Sequence, residues 1–294
     1  MTVRELPDVA LPDGRRLALC EVGDPQGTVA FYFHGTGSSR LETGLYADAA
    51  AAQGVRLVGW DRPGSGGSPA QPGRTILDVV ADTRAVAEHL GVDGVRVAGL
   101  SGGGSHVLVL AAAGGPLVQG VVAVNPGPPS DQDVLAILPG QVSRFMGLAR
   151  TRPKVFAVAT QVTQYRGRGK VAELLEKARM RGQDPVDVEV LHRPEVEGPF
   201  RAAAVEGGRQ PRAFTSEALV IWNQPWGVPL DRFDMPVDVF TGANDLFRPF
   251  AERLTSAGAT LHVFPGGHVS GFVPEVMDEV VSRLSGRADG TSGP

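Results

Sequence analysis

Residues 95–113 read VRVAGLSGGGSHVLVLAAA. The β-branched run at its start suits a strand, and the Ala- and Leu-rich run at its end suits a helix. Between them lies Gly99-Leu100-Ser101-Gly102-Gly103, a Gly-x-Ser-x-Gly in the strand–turn–helix setting that a nucleophile elbow requires. A serine on so tight a turn is pushed into a strained backbone conformation, and side chains at the flanking positions would collide. Gly99 and Gly103 remove those side chains. The turn lifts the Ser101 hydroxyl clear of the sheet edge. The Gly102 amide, at a helix N-terminus, can donate to an anionic oxygen. In a chain with 39 glycines the five-residue pattern alone also arises by chance, so the rest of the sequence must supply its partners.

Toward the N-terminus, runs at 3–9 and 16–22 flank Pro12-Asp13-Gly14, a turn signal, and predict an antiparallel hairpin. Apolar run 29–33 predicts a third strand, ending in His34-Gly35-Thr36-Gly37. A helix is expected at 44–52, a strand at 55–60, a loop at 61–68, a helix at 76–90 and a further strand at 121–124. Strands alternating with helices predict an α/β fold with a mostly parallel sheet covered on both faces. From about 129 to 233 the rhythm changes: helical stretches such as 170–181, frequent Arg and Glu, Pro and Gly breaks, and no clear strand. After Met235-Pro236 the pattern resumes with a strand at 237–241, a helix near 249–257, a strand at 260–264 and a helix near 272–284. The expected organisation is a core formed by 1–128 and 234–285, with 129–233 inserted after the sixth strand as a helical lid. It should lie over the C-terminal edge of the sheet, where ligands bind in open α/β folds. The polar, Gly-rich tail at 286–294 is expected to be disordered.

Hydrophobic residues at 42% and charged residues at 20% describe a globular chain able to bury a full core. A net charge of −4 gives no electrostatic case for nucleic acid or an anionic membrane. No apolar run reaches the roughly 18 residues of a membrane span, and MTVRELPDVALPDG lacks the apolar region of a secretory signal. The single cysteine, Cys20, excludes an intrachain disulfide and reads as a small core residue. These features point to the cytoplasm. No His-x-x-x-His or clustered Cys/His spacing supports a metal. Gly35-Thr36-Gly37 lacks the helix and downstream acid of a dinucleotide site, so no cofactor is expected.

A serine hydroxyl needs a base, and the base needs an orienting group. Of six histidines, His268 follows the last expected strand in Phe264-Pro265-Gly266-Gly267-His268, at the sheet edge toward which Ser101 points. Asp245, in Thr241-Gly242-Ala243-Asn244-Asp245, follows the preceding strand and can hold the imidazole tautomer. Asn244, Asp131 and Asp133 compete with it for that role. The order Ser, Asp, His is the order such a site takes along the chain. The loop at 34–37 can supply a second amide, that of Thr36, to pair with that of Gly102 as an oxyanion hole. His34 is expected to brace that loop through hydrogen bonds, and His106 to be structural.

Together, FHGTGSSRLE, GWDRPGSGGS, VAGLSGGG, VFTGANDLFRP and FPGGHVSGF resemble the α/β-hydrolase superfamily, over about 15–128 and 234–285, and within it the capped bacterial serine-type hydrolases. The resemblance implies Ser101 as nucleophile, Asp245 as acid, His268 as base, and Thr36 and Gly102 as oxyanion donors. It also sets Trp60 and Arg62 at the mouth of the pocket. Two departures stand out: such proteins commonly read His-Gly-Thr-Pro-Gly where Gly37 here follows Thr36 directly, and Ser105 stands where a proline is often found. Epoxide hydrolases and haloalkane dehalogenases on this fold carry an aspartate at the elbow, whereas serine attacks carbonyl carbon.

The lid should set substrate choice. Its aromatic candidates are Phe156, Tyr165, Phe200, Phe214, Trp222 and Trp226, with Gly37, Trp222 and Trp226 expected in the substrate pocket; the competing reading for such aromatics is lid core. Lid arginines could meet a substrate carboxylate. The partner implied is a small-molecule acyl substrate. The activity expected is hydrolysis of a carboxylic ester or related acyl compound. Carbon–carbon bond hydrolysis, thioester cleavage or acyl transfer on the same apparatus remains open, as does a ligand-binding protein without turnover.

Overall fold

The computed structural model describes residues 3–166 and 184–286. The hairpin forms as expected: β1 (Arg4–Ala10) and β2 (Arg16–Gly23) are antiparallel, turned at Gly14 with φ 81°, where glycine is the residue that fits. There follow β3 (Thr28–Phe33), α1 (Ala47–Ala52), β4 (Val55–Trp60), α2 (Asp78–Leu90), β5 (Val95–Leu100), α3 (Gly102–Ala113) and β6 (Val118–Val124). Among the described residues six helices come next: α4 (Gln132–Ile137), α5 (Gly140–Thr151), α6 (Pro153–Arg166), α7 (Pro185–Leu191), α8 (Pro194–Gly207) and α9 (Ala213–Trp222). The core pattern then returns with β7 (Val237–Gly242), α10 (Arg248–Arg253), β8 (Thr260–Phe264) and α11 (Pro274–Leu284). The fold is thus α/β, a mostly parallel sheet with helices on both faces and a helical insertion after the sixth strand.

The eight strands form one sheet in the order β1-β2-β4-β3-β5-β6-β7-β8, antiparallel at β1–β2 and β2–β4 and parallel elsewhere. Period-2 alternation divides the strand side chains between two cores. Phe31, Phe33, Val58, Trp60, Val97, Val121 and Val239 join α2, α3 and α10 on one face. Ala30, Tyr32, Leu57, Ala98, Leu100, Val122, Val124 and Phe240 join α1 and α11 on the other. Both faces being covered explains why strands such as VRVAGL and VFTG read as nearly continuous apolar runs.

The chain steps from β3 sideways to β4, then crosses back to β5 on the other side of β3. The loops leaving the carboxyl ends of β3 and β5 therefore part in opposite directions and leave a crevice between them, the switch point at which open α/β sheets bind ligands.

Several boundaries differ from the sequence expectation, among them the helix expected near 249–257, which gives way to a 3-10 turn after Arg253. The stretch expected as a helix at 44–52 splits into a 3-10 segment (Arg40–Tyr46) and the short α1. Strand β6 begins at Val118, three residues earlier than its apolar run, because exposed Gln119 and side-chain-less Gly120 mask a segment whose register shifts against β5. The helix expected to start at 272 starts at Pro274, after a 3-10 turn (Ser270–Phe272). The stretch 170–181, the side chain of Tyr165 and the tail from 287 onward lie outside the described residues. Among the described residues no helix is long and apolar enough to cross a membrane. Cys20 is fully buried, and burial pushes its thiol up to about 12, so it is an unreactive core group.

Candidate active site

Ser101 stands between the end of β5 and the start of α3 with φ 56° and ψ −115°, a conformation few side chains tolerate. The surrounding glycines make room for it. A Cβ on Gly99 would come within 2.5 Å of the Gly103 carbonyl carbon, and one on Gly103 would overlap the Phe33 carbonyl. The elbow is tied to the sheet edge: Ser101 N–H donates to the Val124 carbonyl (2.9 Å), Gly127 N–H donates to the Ser101 carbonyl (3.0 Å), and Ser105 Oγ donates to the Gly127 carbonyl (2.7 Å). Ser105, in the place of the absent proline, thereby links the elbow helix to the loop after β6.

Loops after β5, β7 and β8 bring three side chains together. Ser101 Oγ lies 2.8 Å from His268 Nε2, and His268 Nδ1 lies 2.5 Å from Asp245 Oδ2. In the tautomer this order demands, Ser101 donates to Nε2 and Nδ1–H donates to Asp245. The Asp245 side chain is fully sheltered, and its Oδ1 accepts from Phe247 N–H (2.6 Å). The Phe247 ring meets the imidazole edge to face, with centroids 5.5 Å apart.

The competing candidates are placed elsewhere. Asn244 donates its Nδ2 to Asp184 Oδ2 (2.7 Å); Asp131 is half-buried near Arg150, and Asp133 is exposed against Arg253.

Two buried carboxylates shape the loop after β3. Glu42 Oε1 accepts from Gly35 N–H (2.9 Å), and Glu217 Oε2, on lid helix α9, accepts from Gly37 N–H (3.1 Å). The amide between them, Thr36, has no backbone acceptor among the described residues, and neither has Gly102 N–H. A Cβ on Gly102 would overlap the Thr36 hydroxyl and lie 3.2 Å from Thr36 N, so the two residues face each other. Gly37, at φ 80°, turns the loop out of β3 and lies beside the Phe214 ring.

His34 braces this loop, donating from Nδ1 to the Gly35 carbonyl (2.8 Å) and accepting at Nε2 from Arg62 N–H (3.3 Å). His106 donates to the Gly102 carbonyl (2.7 Å). Burial holds both imidazoles well below the usual histidine range, with the Arg62 charge acting the same way.

These groups open into a cleft of about 1240 Å³ lined by Thr36, Gly37, Ser101 and His268. Leu100, Val269, Phe200, Phe214 and Phe272 give it apolar walls, and Arg209 and Arg212 stand on its lid side. Phe200 and Phe214 line it as expected of lid aromatics, whereas Trp222, Trp226 and Phe156 do not. Trp222 donates its indole N–H to the Pro128 carbonyl (3.1 Å) and packs edge-on against Phe156, which is fully buried. Trp226 donates to the Ile221 carbonyl (2.9 Å) and packs against Phe250. Each indole satisfies its donor by turning inward, so both belong to the lid core and the substrate-pocket expectation is corrected.

Trp60 and Arg62 are likewise absent from the pocket mouth. Trp60 packs edge-on between Phe31 and Phe33, and the Arg62 guanidinium turns inward to pair with Glu217.

The residues missed from sequence are Glu42, Glu217, Asn125 and Asp187. Asn125, with φ 43°, accepts from Gly242 N–H (2.9 Å) and donates to the His268 carbonyl (2.8 Å), stapling the ends of β6 and β7 to the histidine loop. An Asn-Pro-Gly directly after a strand was the one local signal for it. Glu42 closes the quoted segment FHGTGSSRLE, whereas Glu217 and Asp187 stand in no quoted motif, and an acid on a surface helix reads as a solvated group.

No curated protein matches the sequence. Among solved structures, the chain is similar to a hydrolase from Pseudomonas aeruginosa (21% identical, 96% of this chain and 98% of that one, TM-score 0.66). It is similar to an enol-lactonase from Burkholderia xenovorans (18%, 96% and 100%, TM-score 0.68) and to a thermophilic esterase from Thermogutta terrifontis (19%, 98% and 99%, TM-score 0.66). At these identities the likeness concerns the fold. A family model for the alpha/beta hydrolase fold matches residues 32–273, from within β3 through the loop that carries His268, and the chain therefore belongs to that family.

Proposed function

We propose that the protein is a serine hydrolase that cleaves a carboxylic ester or related acyl compound through an acyl-enzyme. The observation that carries this reading is the hydrogen-bonded chain Ser101–His268–Asp245 in the cleft beside Thr36 and Gly102, neighbours whose amides have no backbone acceptor among the described residues. Ser101 Oγ attacks the carbonyl carbon as its proton passes to His268 Nε2. Asp245 stabilises the imidazolium that forms. The carbonyl oxygen becomes an oxyanion held by the two amides, and losing one such donor typically costs about 10²–10³ in rate. The imidazolium then protonates the leaving alkoxide as the carbon–oxygen bond breaks. A water molecule, deprotonated by His268, attacks the ester of Ser101 and releases the acid.

The esterase and lactonase names of the structural neighbours agree with acyl transfer to water. The apolar walls at Leu100, Phe200, Phe214 and Phe272 favour an acyl or alcohol group with hydrocarbon or aromatic character.

A fluorophosphonate probe, read by mass spectrometry, should label the wild-type protein at Ser101 and leave Ser101→Ala unlabelled. p-Nitrophenyl esters of increasing chain length should be hydrolysed by the first protein only. Equal labelling of both, or wild type inert toward probe and esters alike, would end this reading.

A further inference from the structure

Lid helix α7 makes contacts that substrate selection does not require. Asp187 is 3% exposed, and its Oδ1 accepts from the backbone N–H groups of Gly267 (3.1 Å), Val269 (3.1 Å) and Ser270 (2.8 Å), and from the Ser270 hydroxyl. These donors lie on both sides of His268 in the chain. Converging main-chain N–H groups form a nest for an anion, and a buried carboxylate needs such partners. Asp184, just before α7, accepts from Asn244 Nδ2 (2.7 Å), so the residue beside Asp245 is held by the same end of the lid.

The glycines of the histidine loop give an independent sign that the loop is shaped to this helix. A Cβ on Gly267 would come 2.6 Å from Asp187 Oδ2 and 3.2 Å from Asp184 Cβ, and one on Gly266 would come 3.1 Å from Val186 Cβ. From the core side, Asn125 Nδ2 donates to the His268 carbonyl (2.8 Å). The histidine loop is thus gripped between β6 and the lid.

We propose that Asp187 is a positioning residue for His268: the lid carboxylate fixes the loop at the height where the imidazole meets Ser101 and Asp245. The role rests on the hydrolase reading above. It makes the lid part of the catalytic frame as well as a wall of the pocket. The Nε2–Oγ separation is 2.8 Å, and a displacement of about 1 Å can cost about 10²-fold in rate.

The test uses the full chain with p-nitrophenyl butyrate, a fluorophosphonate probe and amide hydrogen exchange. Asp187→Ala removes the acceptor. Asp187→Glu keeps a charged acceptor, which protects folding, but lengthens the arm by one methylene. Asp187→Asn keeps a carbonyl oxygen at the same reach. The Ala and Glu variants should lose about 10- to 100-fold in kcat with KM little changed, label at Ser101 correspondingly slowly, and, in the Ala variant, exchange faster at 267, 269 and 270. The Asn variant should recover most of the rate and the protection. A folded Ala or Glu variant with wild-type kcat overturns the positioning role, as does an Asn variant as slow as Ala. Failure of the wild-type protein to label at Ser101 overturns the hydrolase reading and this role with it. A labelled wild type matched in rate by Asp187→Ala overturns this role alone.

Discussion

Asp245 divides its two oxygens between a loop and an imidazole, one accepting from Phe247 N–H and the other from His268 Nδ1. An asparagine there could keep the first bond only by turning its amide NH₂ toward the imidazole, which then carries its proton on Nε2 and cannot accept from Ser101. Asp245→Asn is therefore expected to fold and to lose about 10⁴-fold in kcat, and ester hydrolysis checks it; a loss under tenfold would mean that another group orients the base. Glu42 makes a different use of a buried acid. Burial holds its carboxyl above the ordinary carboxylate range, opposed by donors including Tyr32 Oη and Gly35 N–H and by the Arg62 charge. A carboxyl whose folded pKa lies above its unfolded one binds more protons in the native state. Its favourable contribution is complete below the unfolded value and is lost as pH rises through the folded one. Glu42→Gln keeps a carbonyl acceptor and removes the titration. Urea unfolding of both proteins from pH 4 to 8 should show wild type losing stability relative to the variant with increasing pH, and a constant difference would contradict the assignment.

Strand ends and helix starts do the placing, and the lid helices hold what the strands present. Glu217 on α9 ties down Gly37 N–H while pairing with Arg62, whose side chain is 2% exposed. Burial raises the Glu217 carboxyl above its ordinary range, and Arg62 works against that rise. Removing one partner of a buried pair leaves the other uncompensated, so Glu217→Ala should cost about 3–5 kcal/mol in urea unfolding. The double change Arg62→Met, Glu217→Leu removes both charges and should recover most of that stability. Activity should not return with it. Gly37 N–H has then lost its acceptor, and the neighbouring Thr36 amide its aim, a loss of about 10²-fold by analogy with an oxyanion donor. Full activity in the double variant would show that α9 does not set the loop. The strands and elbow were legible because each carries a local signature: apolar runs for a doubly covered sheet, and glycines wherever a Cβ meets backbone. Glu217 and Asp187 were not legible, because a charged residue's burial depends on which distant loop its helix meets, and no period or spacing encodes that.

The sheet order explains why residues from 36 to 268 converge. The reversal between β3 and β5 opens the crevice, and the parallel strands β5, β6, β7 and β8 deliver the elbow, Asn125, Asp245 and His268 to one edge. Chain order and the C-terminal edge were readable from the alternation of strands and helices. The inward turn of Trp222 and Trp226 was not, since an indole in a helical insertion serves a pocket and a core with the same sequence pattern. The same packing bears on how the parts depend on one another. Met146, Ala149, Phe156, Ile221 and Trp222 share a core with the α2–α3 face of the sheet, and Val190 and Val196 share the core on the other face. Lid and sheet thus bury apolar surface in common, and two lid carboxylates satisfy donors in loops of the core. If 129–233 were a detachable cover, replacing it with a short Gly/Ser linker would leave a sheet that melts cooperatively. Exposing both shared cores and leaving the histidine-loop amides without acceptors should instead abolish the transition. Calorimetry of that deletion is expected to show no cooperative peak, while the full-length protein unfolds in a single one. A sharp transition in the deleted chain would establish the lid as an independent unit and remove the reason for assigning it a share in holding the site.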